Sequence, residues 1–351
     1  MRLILCVAIV PLVVLGACSS DKLDCDEGSH EMDGECWPNE AADTGTGTGT
    51  GAAPFFVTTM VHMEGGHIDD VDPDAFAAHL AMLRHGMSVA DEYEAKLTIE
   101  SELPFATAVT ESGETILTDA LAGGHGVGTH CDVGYPDPPA SLIQFAALLE
   151  ERKTLMDNLV GPENNRGCSG AGSSADWAQA LIAAGFVYVD GLVSIHYLSM
   201  PPSARPDLSW TDEWIRSSGA FHDPAPYELE VRTHPFMVAD AMDFLPDQDG
   251  TLLISSGGTW ALHQQAEGYS CSDCAFDTDD ATAAIASIEA ALAVHDPTRV
   301  GKISFHIHVG DLAAEHAEAL RAFFEAVDAL VTDGRVAWAT QGEVYDAFVA
   351  R

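Results

Sequence analysis

Short apolar segments typical of buried strands alternate with amphipathic helical segments along most of the chain. The segment 55–61, FFVTTMV, has the β-branched, apolar composition of a strand that is buried on both faces. Further strands are predicted at 96–99, 127–129, 186–189, 251–255, 302–308 and 336–339. Helices are predicted at 73–87, 114–122, 140–159, 173–184, 279–294, 312–330 and 341–348.

This alternation favours a parallel sheet that is covered by helices. About seven strand–helix units in roughly 300 residues suit a closed or nearly closed barrel better than an open sheet. The predicted fold class is therefore α/β, an irregular (β/α) barrel of about seven strands. In such barrels the reactive side chains lie at the carboxyl ends of the strands, so polar residues that follow the predicted strands are candidates for a site.

The amino-terminal segment predicts export and attachment to a membrane. Met1-Arg2 is followed by an apolar stretch, 3–15, that is too short to span a bilayer comfortably. Leu15-Gly16-Ala17-Cys18 resembles the bacterial lipobox, in which the cysteine is lipidated and becomes the mature amino terminus. The resemblance implies a signal peptide at 1–18 and a lipoprotein of the bacterial cell envelope. Ser19 favours the outer membrane if the organism is Gram-negative.

The next segment, 19–53, is predicted to be a tether. It is acidic, lacks hydrophobic periodicity and ends in a Thr-Gly repeat that is typical of a flexible spacer. The folded domain is predicted to cover 54–351.

The charge of the chain excludes one class of partner. Its 55 acidic residues face 15 lysines and arginines, which gives a formal net charge of -40. A surface this acidic repels phosphate backbones, so we expect no nucleic-acid partner.

Six of the eight cysteines remain after the signal residue Cys6 and the lipidated Cys18 are set aside. An even number of cysteines in an oxidising compartment suggests disulfides. The spacing favours the pairs Cys25–Cys36 and Cys271–Cys274, which leaves Cys131 with Cys168. A Cys-x-x-Cys such as 271–274 can also be redox-active or form half of a zinc site, although no second such pair lies nearby.

Three strand ends carry the candidate chemistry. His62 and Glu64 are two residues apart, as are His306 and His308, so each pair can share one face of an extended strand. The glycine-rich segment 124–132, GHGVGTHCD, adds two imidazoles, a thiol and a carboxylate. Such donors suit Zn²⁺ or a similar divalent ion with an open position for water. Histidines that are hydrogen-bonded within the core are the alternative.

Six segments, taken in order, resemble the polysaccharide deacetylase family, the NodB-homology domain with its irregular (β/α) barrel. The resemblance covers about residues 54 to 350. The matching segments are 61–65 (VHMEG), 124–130 (GHGVGTH), 166–170 (RGCSG), 177–190 (WAQALIAAGFVYVD), 305–308 (FHIH) and 328–348. The first stands where the family has its Thr-Phe-Asp-Asp-Gly signature, and the second resembles its Gly-His-x-x-Gly-x-His segment.

The resemblance implies a metal site in which Glu64 and His130 are ligands. Met63 stands where the family has its usual general base, and Gly134 stands where it has its second metal histidine. His62, Asp132 or His125 can take the place of that histidine, and His62 is preferred because it shares a strand face with Glu64.

The activity implied is the metal-assisted removal of acyl groups from nitrogen atoms of an envelope glycan. His308, or else His306, would protonate the leaving amine, and Arg166, in the segment that lines the family's groove, would orient a polar group. Asp132, Asp190 and His306 are the candidates for the base, and Asp190 is also a candidate for substrate binding. Cys168 replaces the proline of the family's groove segment, and a bridge to Cys131 would brace the site.

Two other functions stay open at this point. Because Met63 cannot accept a proton, the barrel can instead be a glycan-binding or scaffold lipoprotein that lacks activity. A glycoside hydrolase would need two carboxylates about 5–10 Å apart across its substrate, and the strand ends offer more histidine than acid.

Overall fold

The chain divides into two units, residues 1–50 and residues 51–351. The computed structural model describes residues 29–32, 35–38, 52–133, 141–217, 222–268 and 274–351. In the first unit, β1 (Ser29–Met32) pairs with β2 (Glu35–Pro38) as an antiparallel hairpin within the segment predicted as a tether. Cys18, Cys25 and Cys271 lie outside the described residues. Lipidation of Cys18 and the bridges Cys25–Cys36 and Cys271–Cys274 therefore stay predictions.

The second unit alternates strands and helices. Its strands are β3 (Phe55–Met63), β4 (Thr98–Ser101), β5 (Gly126–His130), β6 (Gly167–Ser169), β7 (Tyr188–Asp190), β8 (Phe236–Val238), β9 (Leu252–Ile254), β10 (Gly258–Ala261), β11 (Gly301–His308) and β12 (Ala337–Trp338). Its helices are α1 (Pro73–Asp91), α2 (Leu103–Ser112), α3 (Ile116–Ala122), α4 (Leu142–Val160), α5 (Trp177–Ala184), α6 (Asp212–Ile215), α7 (Leu229–Thr233), α8 (Thr278–Val294), α9 (Ala317–Thr332) and α10 (Gln341–Val349).

Among the described residues of this unit, the strands form one sheet in the order β10-β11-β3-β4-β5-β6-β7-β9-β8, and β12 also pairs with β3. Every neighbouring pair is parallel except β8 and β9. One apolar cluster packs β3, β4 and β11 against α1, α2, α8 and α9, and a second lies between α4, α5, β7 and β9. The predicted α/β fold of parallel strands and covering helices is confirmed.

The first residues of two helices show how well the local sequence predicts where a helix begins. Asp72 caps α1 as predicted, because its Oδ1 accepts from the backbone N–H groups of Asp74 at 3.0 Å and Ala75 at 3.1 Å, with Pro73 in the first turn. The predicted cap of α5 at Ser173 or Ser174 is wrong. Asp176 caps this helix by accepting from the N–H of Gln179 at 3.1 Å, so the helix begins later.

Two differences in the strands matter for the site. β4 was predicted at 96–99 but lies at Thr98–Ser101, so it ends in polar residues. β6 was not predicted, because three residues carry no readable periodicity; its pairing with β5 and β7 holds it in the sheet. In the part of the chain that the structure describes, no helix combines the length and the apolar character that crossing a bilayer requires.

Candidate metal centre

The parallel register brings the polar strand ends into one row. His62 on β3 lies opposite Glu100 on β4 and also opposite His308 on β11. His130 on β5 lies opposite Ser169 on β6, which in turn lies opposite Asp190 on β7. Because all these strands run in the same direction, their carboxyl ends meet at one edge of the sheet.

A cavity of about 230 Å³ opens at this edge. Five of the residues singled out from the sequence line it: His62, Glu64, His130, Asp132 and His306. Further lining residues that the sequence analysis did not assign include His222, Trp260 and His263. Residues 62 and 306, which are 244 positions apart in the chain, therefore converge on one space.

Glu64 lies at the centre of the cluster. Its Oε2 lies 2.9 Å from Nε2 of His130, and its Oε1 lies 3.6 Å from Nδ1 of His62 and 3.9 Å from Nε2 of His306. Burial opposes the charged form of this carboxyl, but the imidazoles of His130 and His62 outweigh burial and hold the pKa of Glu64 well below its usual range. Glu64 is therefore a carboxylate, the form that binds a cation.

On the side away from Glu64, the imidazoles of His62 and His130 contact a buried polar floor that is formed by Ser169 and Glu100. Ser169 Oγ lies 2.9 Å from Nδ1 of His130 and 3.1 Å from Nε2 of His62. Glu100 Oε2 also lies 3.1 Å from Nε2 of His62. The nitrogens that remain, His62 Nδ1 and His130 Nε2, face Glu64. Histidines that bind a metal are commonly oriented in this way by a carboxylate or hydroxyl on the second nitrogen.

Burial alone would lower the pKa of His62, but hydrogen bonding and charge from Glu100 and Glu64 outweigh it and raise that pKa to about 10. Without a cation in the cluster, His62 itself carries a positive charge between two carboxylates. Sequence reasoning missed Glu100 and Ser169. Glu100 could have been found from the polar end of β4, whose sequence is TIES. Ser169 lies on β6, which was not predicted.

The side chains fit a divalent cation. Three groups each bring their donor atoms within 4.8 Å of one another: Glu64 with His130 and Asp132, Glu64 with His62 and His306, and Glu100 with His62 and His130. Each pair within the predicted trio of Glu64, His130 and His62 occurs in one of these groups, although the trio is not itself one of them. Imidazole and carboxylate donors are the ligands that Zn²⁺ and similar ions prefer.

His306 is the imidazole least engaged by the protein. Its Nε2 is buried and has no hydrogen-bond partner among the described residues. Burial, with a further contribution from the nearby His62 charge, holds the pKa of His306 well below its usual value. A neutral imidazole that faces the cavity can accept a proton or bind a cation.

The structure corrects the role predicted for His308. Its ring lies in a second cleft with His263, Asp311 and His316, and Nδ1 accepts from the backbone N–H of Gly310 at 3.2 Å. The strand ends at His308, where the chain enters a 3₁₀ turn, so the two-residue alternation no longer governs this side chain. His306 is the histidine of this pair that lines the cavity.

Arg166 and His125 lie at the other edge of the sheet, in a third cleft beside the start of β5. Arg166 pairs with Asp346 through contacts of 2.6 and 2.9 Å, and its guanidinium lies 5.4 Å from the centre of the Tyr345 ring. Arg166 comes before β6, so it belongs to the amino-terminal edge. This position corrects its predicted role in substrate binding, and it also excludes His125 as a ligand.

Asp190 and Met63 lie behind the cavity wall. Asp190 is fully buried, and neither carboxyl oxygen has a hydrogen-bond partner in the described part of the chain. Burial, together with the charge of Glu100, raises the pKa of Asp190 well above its usual range. Met63 is fully buried in the larger apolar cluster, on the opposite side of β3 from His62 and Glu64. The contact that was predicted between Asp190 and substrate is therefore not possible in this arrangement.

A disulfide joins Cys131 to Cys168 directly after His130 and before Ser169. The two cysteines are 37 residues apart, so the bridge closes a loop of that length in the unfolded chain and lowers its conformational entropy. We predict that replacing both cysteines with alanine lowers the free energy of unfolding by about 4 kcal/mol. Urea unfolding followed by circular dichroism measures the change. Full stability of the double variant would contradict the prediction.

No protein-family model matches this chain, and no curated protein matches its sequence. Solved structures do share its fold. A protein described as a polysaccharide deacetylase from Mycobacterium smegmatis aligns with a TM-score of 0.55 and 16% identity over 86% of this chain and 95% of its own. Another of that description, from Pseudomonas aeruginosa PAO1, gives a TM-score of 0.54 and 11% identity over 85% and 92%.

A third structure, described as a glycoside hydrolase/deacetylase from Parabacteroides distasonis, gives a TM-score of 0.56 and 9% identity over 86% of this chain and 72% of its own. Identities this low show a common fold and no more. The fold that the sequence resemblance implied is therefore the observed one, and the chemistry of this chain has to be argued from its own side chains.

Proposed function

We propose that this protein is a metal-dependent hydrolase that removes acyl groups from nitrogen atoms of a glycan. The observation that carries the proposal is the position of Glu64 between two oriented imidazoles, His62 and His130, in a cavity at the carboxyl edge of a parallel sheet. Three of the structures that share the fold carry the name of a deacetylase, which supports a carbohydrate substrate.

Glu64, His130 and His62 would hold the ion, and Zn²⁺ suits these nitrogen and oxygen donors. Glu100 and Ser169 fix the imidazoles from behind, so the ligands would be in place before the ion arrives. When bound, such an ion polarises an acyl oxygen and makes a water molecule more acidic.

Two other side chains in the cavity are placed to move protons. Asp132 is exposed to the cavity and offers a carboxylate oxygen beside Glu64 and His130. We assign it the proton of the attacking water, because the buried Met63 cannot take it. His306, which lines the same cavity, would accept this proton as a neutral imidazole and pass it on to the leaving amine, so that the proton of the water ends on the amine.

A glycan-binding protein without activity is the second candidate. Met63 favours it, since the side chain at the position of the family's base is apolar and lies in the core. This candidate predicts that glycans bind and that no acyl group is released.

The cellular location rests on the amino-terminal segment alone. We propose that Cys18 carries lipid and tethers the protein to the bacterial envelope, facing out of the cytoplasm. Mass spectrometry of the native protein tests this, since lipidation adds acyl mass to a chain that begins at Cys18.

Removal of the ion is the direct test of the proposed activity. We expect purified protein to contain about one equivalent of a divalent metal, and to release acetate from N-acetylated chito-oligomers. Dialysis against a chelator is expected to abolish acetate release, and Zn²⁺ to restore it, because no described side chain replaces the ion as Lewis acid. Metal-free protein with full activity would refute the proposal, and metal-loaded protein without activity would favour the second candidate.

A further inference from the structure

Three aromatic side chains form an exposed surface on the segment that follows β7, which we name the aromatic platform: Trp210, Trp214 and Tyr227. The rings of Trp210 and Trp214 are stacked, with centroids 5.2 Å apart and an interplanar angle of 11°. Tyr227 meets Trp210 edge-on at 5.4 Å. Trp210 is buried, whereas Trp214 is 37% exposed and Tyr227 is 54% exposed. Trp214 and Tyr227 are therefore held at the surface by packing against the buried Trp210.

A buried arginine fixes this surface. Arg205 is 5% exposed and donates to the backbone carbonyl groups of Trp210 at 2.6 Å, Tyr197 at 3.0 Å and Met200 at 3.1 Å. It also pairs with Asp212 at 2.6 Å. Four hydrogen bonds from one guanidinium to the segment 197–212 hold that segment in place, so the aromatic side chains are pre-organised and lose little entropy when a ligand binds.

The aromatic platform is continuous with the wall of the cavity. Ile195 lines the cavity, and two residues later the ring of Tyr197 packs 5.3 Å from Trp210. The hydroxyl of Tyr197 accepts from the backbone N–H of Tyr227 at 2.8 Å. The wall of the cavity at Ile195 and the aromatic platform therefore belong to one packed segment.

The chain that leads from the cavity to the aromatic platform is also fixed. His222 lines the cavity, and the backbone N–H of Ala225 donates to Leu192, another lining residue, at 3.1 Å. Tyr227 is five positions after His222, so an extended chain between them spans at most about 18 Å. The aromatic platform therefore lies within reach of a glycan oligomer that starts in the cavity.

We propose that the aromatic platform is a subsite for the outer sugars of a glycan oligomer whose acylated sugar lies in the cavity. The inference rests on the proposed function and narrows its substrate to a chain of several sugars. The C–H face of a pyranose ring is apolar and matches the negative face of an indole or phenol ring. The formal net charge of -40 disfavours anionic glycans, and the proposed reaction needs an N-acyl group, so we take a neutral N-acylated oligomer as the occupant.

The test compares oligomers of different length on the full-length protein. Titration calorimetry with N-acetylated chitopentaose and chitobiose is expected to show binding of the pentamer that Trp214→Ala weakens by about tenfold, with a smaller loss for Tyr227→Ala. Tyr227→Phe keeps the ring and is expected to keep the affinity. Val349→Ala is the matched control, since Val349 is also 54% exposed but lies on α10. The dimer is expected to respond to none of these changes.

A variant at the metal centre separates this inference from the proposed function. Glu64→Gln is expected to bind the pentamer with the same dependence on Trp214 while acetate release is lost. If wild-type protein releases no acetate but its pentamer affinity depends on Trp214, the proposed activity fails and the aromatic platform stands. If wild-type protein releases acetate and Trp214→Ala leaves the pentamer affinity and KM unchanged, the aromatic platform is overturned. Absence of pentamer binding to any form also overturns it.

Discussion

Replacing Glu64 with glutamine is expected to reduce divalent-metal affinity by at least about 100-fold, more than changes to the residues behind a ligand usually cost. Acetate release is expected to fall by about 1000-fold, which corresponds to several kcal/mol of lost transition-state stabilisation. The substitution keeps the size of the side chain but removes the negative charge that faces His62 and His130. Metal analysis after gel filtration and a single-turnover acetate assay measure the two effects.

Glu289→Gln is the matched control, because Glu289 is an exposed glutamate that pairs with Arg335 on the surface. It is expected to leave both quantities unchanged. His130→Ala should reproduce the effect of Glu64→Gln, since Nε2 of His130 lies 2.9 Å from Oε2 of Glu64. Wild-type metal content in both variants would show that the ion, if one is bound, lies elsewhere.

The parts of this site that sequence reasoning located lie at the carboxyl ends of three strands, β3, β5 and β11. β3 and β11 span nine and eight residues and are readily recognised as strands, so the histidine and glutamate residues at their carboxyl ends can be identified directly. The two-residue alternation then places His62 and Glu64 on one face, and the parallel fold places His306 beside them. Local periodicity and one rule of parallel sheets were sufficient here.

The parts that were missed depend on pairing between strands. Glu100 reaches His62 because β4 ends two residues later than its apolar pattern indicates, and Ser169 reaches both imidazoles from a three-residue strand. The local sequence does not determine the register of β4 or of β6, because the pairing of each strand depends on its neighbours in the sheet. Arg166 and His308 were misplaced for the related reason that a resemblance aligns positions in the chain but does not fix which edge of the sheet a side chain faces.

The buried charges behind the cavity lead to the second prediction, a large loss of stability in Lys302→Met. Lys302 is fully buried, and its Nζ donates to the backbone carbonyl of Ser255, to Ser255 Oγ at 3.1 Å and to Gln341 Oε1 at 2.6 Å. It also provides positive charge near Asp190 and Glu100. Replacing this lysine with methionine leaves its buried acceptors on Ser255 and Gln341 without a donor and removes the positive charge near Glu100, so the free energy of unfolding is expected to fall by about 3–5 kcal/mol.

The same lysine predicts how stability depends on pH. Burial, partly offset by the charges of Asp190 and Glu100, lowers the pKa of Lys302 from 10.5 to about 8. Between these two values the unfolded chain binds more protons at this residue than the folded chain does, so this residue makes stability rise with pH across that interval. Below pH 8 both states are protonated and the contribution is constant. Lys302→Met is expected to lack this rise.

Urea unfolding at pH 7.5 and at pH 10 measures both effects on one set of samples. Lys96→Met is the control, because Lys96 pairs with Glu343 at a site where both side chains are at least one-third exposed. An exposed pair contributes about 1 kcal/mol or less, so this variant should stay near wild-type stability and keep the dependence on pH. If Lys302→Met is as stable as Lys96→Met and shows the same pH dependence, Lys302 does not compensate the carboxyl groups beneath the metal centre. His62 would then be the positively charged partner of Glu100 in place of Lys302. If a metal ion bound His62 and displaced its proton, the ion would have to supply the positive charge that balances Glu100.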